Sequence, residues 1–197
     1  MQQSRSVQRA VSLPNLVAVV AAGTLTFVSA VIAAPAPEAG AQAPSFQSET
    51  GPEGVRNYTR VDATVACAGA TPPEAMAVLR ERGFNAVINF RTAGENGATV
   101  DAGREAAEAA GLKYIHIPFR QPSPEVVESF LAAVAEPANQ PVFIHCGSAN
   151  RVGAMWLIKR VQQDGYSVDD AVAEAEAIGL RSAALKDFAL GYLDAGN

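Results

Sequence analysis

Cys146 is followed by four small or polar residues, Gly147, Ser148, Ala149 and Asn150, and then by Arg151. The surrounding segment, 141–153, reads PVFIHCGSANRVG: an apolar run closing on His145 and Cys146, a short loop, and a helix start. Small residues let such a loop curl so that several main-chain N–H groups point inward. The helix behind it adds the positive end of its dipole. A thiol set against that field is in the setting that lowers a cysteine pKa and raises its thiolate fraction. Arginine offers two parallel donors to a tetrahedral oxyanion. Cys146 as nucleophile, Arg151 as oxyanion clamp and the amides of residues 147–150 as cradle would together attack phosphoryl or sulfur groups. The plainer alternative is a buried structural cysteine at a strand end beside a surface arginine.

The elements that must position this loop follow from the pattern around it. VDATVACAG, FNAVINF, LKYIHIPF and PVFIHC read as strands. TPPEAMAVLRERG reads as a helix with Thr71 as N-cap, prolines in its first turn and Gly83 at its end. VDAGREAAEAAG is a second helix, and Ser123 caps a third over PEVVESFLAAVAE. Helices from Asn150 through Val161, over SVDDAVAEAEAIG and over LRSAALKDFALGYLDA complete the chain. Strands separated by helices imply an α/β fold with a mostly parallel sheet flanked by helices. In such sheets ligands bind beyond the carboxyl ends of the strands, where HCGSANR falls.

The chain has 197 residues, 49% of them hydrophobic and 18% charged, enough for one packed domain. Its net charge of −5 argues against nucleic acid as a partner. A basic start with Arg5 and Arg9 precedes LVAVVAAGTLTFVSAVIAA, and no charge then occurs until Glu38. That order describes an export signal, with cleavage sites after Ala33 or Ala41, or an anchor if uncleaved. Residues 1–43 are expected to hold this leader and the start of a linker, 44–57 the linker, and 58–197 the domain. The expected location is periplasmic or secreted, with membrane contact only through an uncleaved leader.

HCGSANRVG resembles the HC…R loop of the cysteine-dependent tyrosine and dual-specificity phosphatases. It is closer still to a bacterial family, the phosphatase-like domain of beta-lactamase hydrolase-like proteins. GATPPEAMAVLRERGFNAVINFRTAGENG and GLKYIHIPF are similar to that family as well. The resemblance implies a phosphatase-like fold with the Cys–Arg loop between a central strand and a helix. It implies Cys146 as nucleophile, Arg151 as phosphate clamp and His145 as the residue that orients the loop. Arg91 and Glu95 match an Arg…Glu pair near the pocket rim, though an ordinary solvated loop pair would look the same. No metal or organic cofactor is implied; the substrate would be a phosphorylated or sulfur-bearing small molecule or protein.

Three departures from the larger phosphatase pattern matter. Four residues, not five, separate Cys146 from Arg151, a spacing that resembles rhodanese-type sulfurtransferases. Val152 stands where a hydroxyl residue usually follows the arginine, leaving Ser148 as a substitute. The loop after KYIHIPF reads RQPSPE and lacks the aspartate expected as general acid; Glu125 is the nearest carboxylate. Leaving groups of high pKa should then be poor substrates. A Cys146 persulfide sulfurtransferase and a noncatalytic oxyanion-binding module are the alternatives to a phosphatase. Arg120 either lines the pocket or faces solvent, and His116 reads as a core histidine. Cys67 reads as a buried small residue, or as a disulfide partner protecting Cys146.

Overall fold

The computed structural model describes residues 44–196, in which one five-stranded sheet lies between two layers of helices. In chain order the elements are β1 (Thr59–Arg60), β2 (Val65–Ala68), α1 (Ala75–Glu81), β3 (Ala86–Asn89), α2 (Val100–Ala109) and β4 (Lys113–His116). They continue as α3 (Pro124–Ala135), β5 (Val142–His145), α4 (Asn150–Gln162), α5 (Val168–Ile178) and α6 (Ala183–Asp194). The expected leader and its cleavage sites lie outside the described residues. No helix among the described residues is long and apolar enough to cross a membrane.

The sheet order is β1-β2-β5-β3-β4, parallel throughout except for β1, which pairs antiparallel with β2 at one edge. Both faces of β2, β3 and β5 are buried, so these strands are continuous apolar runs rather than alternating ones. Val65, Cys67, Ile88, Val142, Ile144 and Cys146 belong to the core under α3–α6. Ala66, Ala68, Val87 and Phe143 belong to the core under α1 and α2. The central strand β5 pairs with β2 on one side and β3 on the other, and His145 is level with both Ala68 and Asn89. The chain therefore leaves three adjacent strands at one edge, beside Cys146.

α4 carries the Cys–Arg loop into the core. Val152 and residues 154–158 are buried, so the helix is packed nearly all round. Gly153 permits this: a Cβ there would stand 2.8 Å from the Ala175 carbonyl oxygen and 2.9 Å from Leu180 Cβ. Further along, Arg160 is locked to Glu174 of α5 by two bonds of 2.9 Å, a buried pair that sets how the two helices meet.

Ser123 caps α3 as its sequence implies, accepting from the Val126 N–H. Thr71 does not cap α1. The cap position is Glu74, which makes no side-chain cap bond, and the Thr71 hydroxyl donates to the Gly69 carbonyl at 3.2 Å. Two prolines with fixed φ shape the chain before the helix, so it begins later than Thr71 permits. The stretch 44–57, read as a linker, makes specific contacts with the domain. Phe46 packs on the core, Gln47 bridges to Arg60, and Glu49 pairs with Arg82 at 2.7 Å.

Candidate active site

The Cys146 loop is held from both sides by main chain. The Cys146 N–H donates to the Ala68 carbonyl at 3.3 Å, and Phe90 N–H donates to the His145 carbonyl at 2.9 Å. Ala70 N–H reaches the Gly147 carbonyl at 3.0 Å, and Asn57 Nδ2 reaches the Ser148 carbonyl at 3.1 Å. Gly69 makes this closeness possible, since a Cβ there would lie 3.2 Å from Ser148 Cα and 3.3 Å from the Gly147 carbonyl oxygen. Ala149, the N-cap of α4, has φ 67 and makes no side-chain cap bond. A non-glycine residue in this left-handed region costs about 1 kcal/mol or more. It is held there by α5, whose closing Gly179 leaves room for the Ala149 methyl; a Cβ on Gly179 would come within 2.8 Å of it. An uncapped helix start after a left-handed residue leaves N–H groups free to face an anion.

Arg151 is fixed by one edge of its guanidinium. Nη1 donates to Glu95 Oε2 at 2.9 Å, to the Phe119 carbonyl at 2.8 Å and to the Phe90 carbonyl at 3.1 Å. Nη2 donates to Glu95 Oε1 at 2.7 Å. Among the described residues Nε makes no hydrogen bond to carboxylate or carbonyl, so the Nε–Nη2 edge keeps the fork that suits a phosphate. Cys146, 1% exposed in the loop, lies near enough to this guanidinium for the two groups to interact electrostatically. Burial would lower the Arg151 pKa, but the Glu95 bonds and the charges of Cys146 and Glu95 raise it above the usual arginine value. Glu95 shows the reciprocal effect: partial burial raises its carboxyl, and Arg151, the Thr92 N–H and Arg91 pull it lower on balance.

Arg91 supports the loop that carries Glu95. It is buried and donates to the Asn96 and Gly97 carbonyls at 2.7 Å each, with Nε 3.6 Å from Glu95 Oε1. His116 Nε2–H donates to the Arg91 carbonyl at 2.7 Å, so this histidine is a structural tie rather than a catalyst. Of the pair expected at the rim, Glu95 bonds Arg151 directly and Arg91 stands behind Glu95.

His145 is buried and stacks on Phe143 with ring centroids 5.8 Å apart. Neither ring nitrogen has a well-formed hydrogen bond, although the backbones of Gly69 and Cys146 lie alongside. Burial, then the Arg91 charge, pushes its pKa down to about 3. It is a neutral imidazole near pH 7. Unfolded histidine titrates near 6.5, so between pH 6.5 and 3 the unfolded chain binds the extra proton and stability falls with falling pH. The expected loss from this group between pH 6.5 and 5 is about 1.5 kcal/mol. Urea unfolding at the two pH values, beside His145→Gln, checks it; an unchanged pH slope in the variant would assign the loss elsewhere.

The remaining expected residues are less central. The side chain of Asn150 is committed away from the loop, accepting from Arg181 N–H at 2.9 Å and Ser182 N–H at 3.1 Å, so only its main chain can serve the cradle. Ser148 is exposed on the loop. Glu125 is exposed in the first turn of α3 and lines neither cleft beside the site. Both cysteines are free thiols. Cys67 is level with Ile144 and faces the same core as Cys146, and burial, with Glu174 nearby, pushes its thiol well above the usual range. It is a buried small residue here, with no disulfide. Among the described residues no three His, Cys, Asp or Glu side chains gather as a metal site.

Two clefts flank the loop and share Glu95. One, of about 660 Å³, is lined by Thr92, Gly94, Glu95, Phe119, Arg120 and Arg151. The other, of about 670 Å³, includes Arg56, Glu74, Arg91 and Gly147. Sequence reading missed Asn57, Gly69 and Glu74; the small residues of VACAGA were a faint signal for the close approach at Gly69.

Comparison with solved structures places the fold among phosphatases. The DUF442 protein of Shewanella putrefaciens CN-32 superposes with a TM-score of 0.61 at 22% identity, covering 72% of this chain and 88% of that one. TpbA of P. aeruginosa gives 0.60 at 19% identity, covering 79% and 92%. The core catalytic domain of the PP-IP phosphatase SIW14 of S. cerevisiae, in complex with citrate, gives 0.60 at 19%, covering 74% and 88%. No curated protein sequence matches the chain. A family model does match residues 57–163, which hold β1 to β5 and the whole Cys146–Arg151 loop, and by that match the chain belongs to the beta-lactamase hydrolase-like protein, phosphatase-like domain family.

Proposed function

We propose that this protein is a cysteine-dependent phosphatase acting on phosphate monoesters. The observation that carries the reading is the half-committed arginine: Glu95 and two carbonyls hold one edge of Arg151, and the other edge remains for an oxyanion above Cys146. The Cys146 thiolate attacks phosphorus, an S–P bond forms, and the ester P–O bond breaks with its electron pair leaving on oxygen. Arg151 and the loop N–H groups hold the phosphoryl oxygens through the trigonal-bipyramidal transition state. Water then cleaves the S–P bond, releasing phosphate and restoring the thiolate.

Family membership supports a phosphatase over the persulfide sulfurtransferase, and a neighbour, a P. aeruginosa TpbA variant, was crystallised in complex with pTyr. The test is turnover of p-nitrophenyl phosphate by the purified protein with reductant and chelator, followed by acid quench and isolation of phosphate on Cys146. Phosphate trapped on that residue is the expected result. No turnover, with cyanide-labile sulfur on Cys146 after thiosulfate, would replace the reading with sulfur transfer; oxyanion binding without either would leave a binding module.

Export belongs to the same proposal, supported by Arg5, Arg9 and the apolar run that follows. Fractionation of cells making the full chain is expected to find it outside the cytoplasm; recovery in the cytoplasm would overturn this.

A further inference from the structure

The cleft on the β4 side of the loop contains two arginines and one carboxylate. That carboxylate, Glu95, is bonded twice to Arg151 and has no proton to give near neutral pH. The segment after β4, from Ile117 to Ser123, holds no acid at all, and Glu125 beyond it points to solvent in the first turn of α3. No side chain lining this cleft is an acid suited to protonate a departing oxygen. Arg120 stands there instead. It is exposed and takes part in no hydrogen bond or ion pair among the described residues, and the residue before it is pinned to Arg151 through the Phe119 carbonyl on Nη1. The cleft thus presents one cation for the transferred phosphoryl group and a second, uncommitted, beside it.

Resting on the phosphatase reading above, we propose that Arg120 binds the leaving group and that the preferred substrates are phosphoric anhydrides, in which the leaving group is itself a phosphate. An alkoxide needs a proton to depart at a useful rate; a phosphate departs as a stable anion near neutral pH. Arg120 offers that anion a planar pair of donors, which a neutral alcohol would not use. In the reaction the Cys146 thiolate attacks the terminal phosphorus, the S–P bond forms, and the bridging P–O bond breaks. Its electron pair goes to the bridging oxygen of the departing phosphate, held by Arg120, and water later cleaves the S–P bond to give a second phosphate. Glu74 lines the other cleft, on the α1 side, and is the competing candidate for a proton donor.

The probes are inorganic pyrophosphate, p-nitrophenyl phosphate and O-phosphoserine, with the purified protein, reductant and chelator. Pyrophosphate and the aryl ester are expected to turn over and phosphoserine to lag both. Arg120→Ala is expected to lower the ratio of kcat/KM for pyrophosphate to that for the aryl ester by at least about tenfold, with Arg120→Lys in between. A ratio unchanged within about twofold in Arg120→Ala overturns the proposal. So does brisk phosphoserine hydrolysis that Glu74→Gln removes, because an acid would then exist. If no probe is turned over even by the unaltered protein, the phosphatase reading falls first and this inference with it.

Discussion

Cys146→Ser is expected to lower p-nitrophenyl phosphate turnover by at least about a thousandfold while leaving the oxyanion site intact. A serine hydroxyl is a nucleophile only when a base takes its proton. The two nearest candidates are unavailable. His145 is sealed against Phe143 and the main chain with its basicity pushed down to a pKa of about 3, and Glu95 spends both oxygens on Arg151. The thiol lies beside Arg151 and the uncapped start of α4, and sulfur is intrinsically a far stronger nucleophile than a hydroxyl oxygen. Because the hydroxyl is slightly smaller than the thiol, the loop should not be disturbed. Phosphate binding by calorimetry should therefore stay within about threefold of the unaltered protein. Turnover surviving the substitution would remove Cys146 from the mechanism. Lost binding would mean that the variant damages the cradle, and the kinetic result would then say nothing about nucleophilicity.

How much of this was legible before the fold depends on how far apart in the chain the interacting groups lie. Cys146, Arg151, the strand ahead of them and the helix behind occupy one contiguous segment, so the site's reactive half could be read directly from residues 141–153. Strands buried on both faces are unbroken apolar runs, which made β2, β3 and β5 visible. β1 has two residues and no pattern of its own; it exists because β2 has an edge to pair with. The contacts that aim the arginine are long-range. Glu95 is 56 positions from Arg151, and nothing local distinguishes it from a solvated loop glutamate. Arg91 could be paired with Glu95 by resemblance, but not its role of pinning the Asn96 and Gly97 carbonyls. For Asn150 the expectation concerned the main-chain amide; that its side-chain oxygen is taken by two N–H groups at the start of α6 is a long-range contact with no local signal. Thr71 failed because a cap is decided by where the helix dihedrals begin, and Pro72 and Pro73 delay them.

Glu95→Gln is expected to lower kcat/KM for every substrate by about ten- to a hundredfold, through Arg151 rather than through contact with substrate. Glutamine keeps one oxygen acceptor but turns an amide NH₂ toward a guanidinium that can only donate. One of the two bonds is lost, and Arg151 is free to rotate its Nε–Nη2 edge out of line with Cys146. The opposite effect is physically conceivable, since a carboxylate beside an anion site can act as a stand-in for substrate and compete with it. Geometry decides against competition: the carboxylate takes Nη1 and Nη2 end-on, leaving the Nε edge unoccupied. A rise in kcat/KM with a fall in KM would show that this assignment of edges is wrong. Stability provides a second readout. Glu95 is held below the usual carboxylate range, so its contribution is present above the unfolded value near pH 4.3 and is lost as pH falls through the lower folded value. The variant should be less stable than the parent by about 1–2 kcal/mol at pH 7, with the gap closing toward pH 3. Glu95→Asp, which keeps the charge on a shorter stem, should recover part of the stability but little of the rate, because the rate depends on where the guanidinium points.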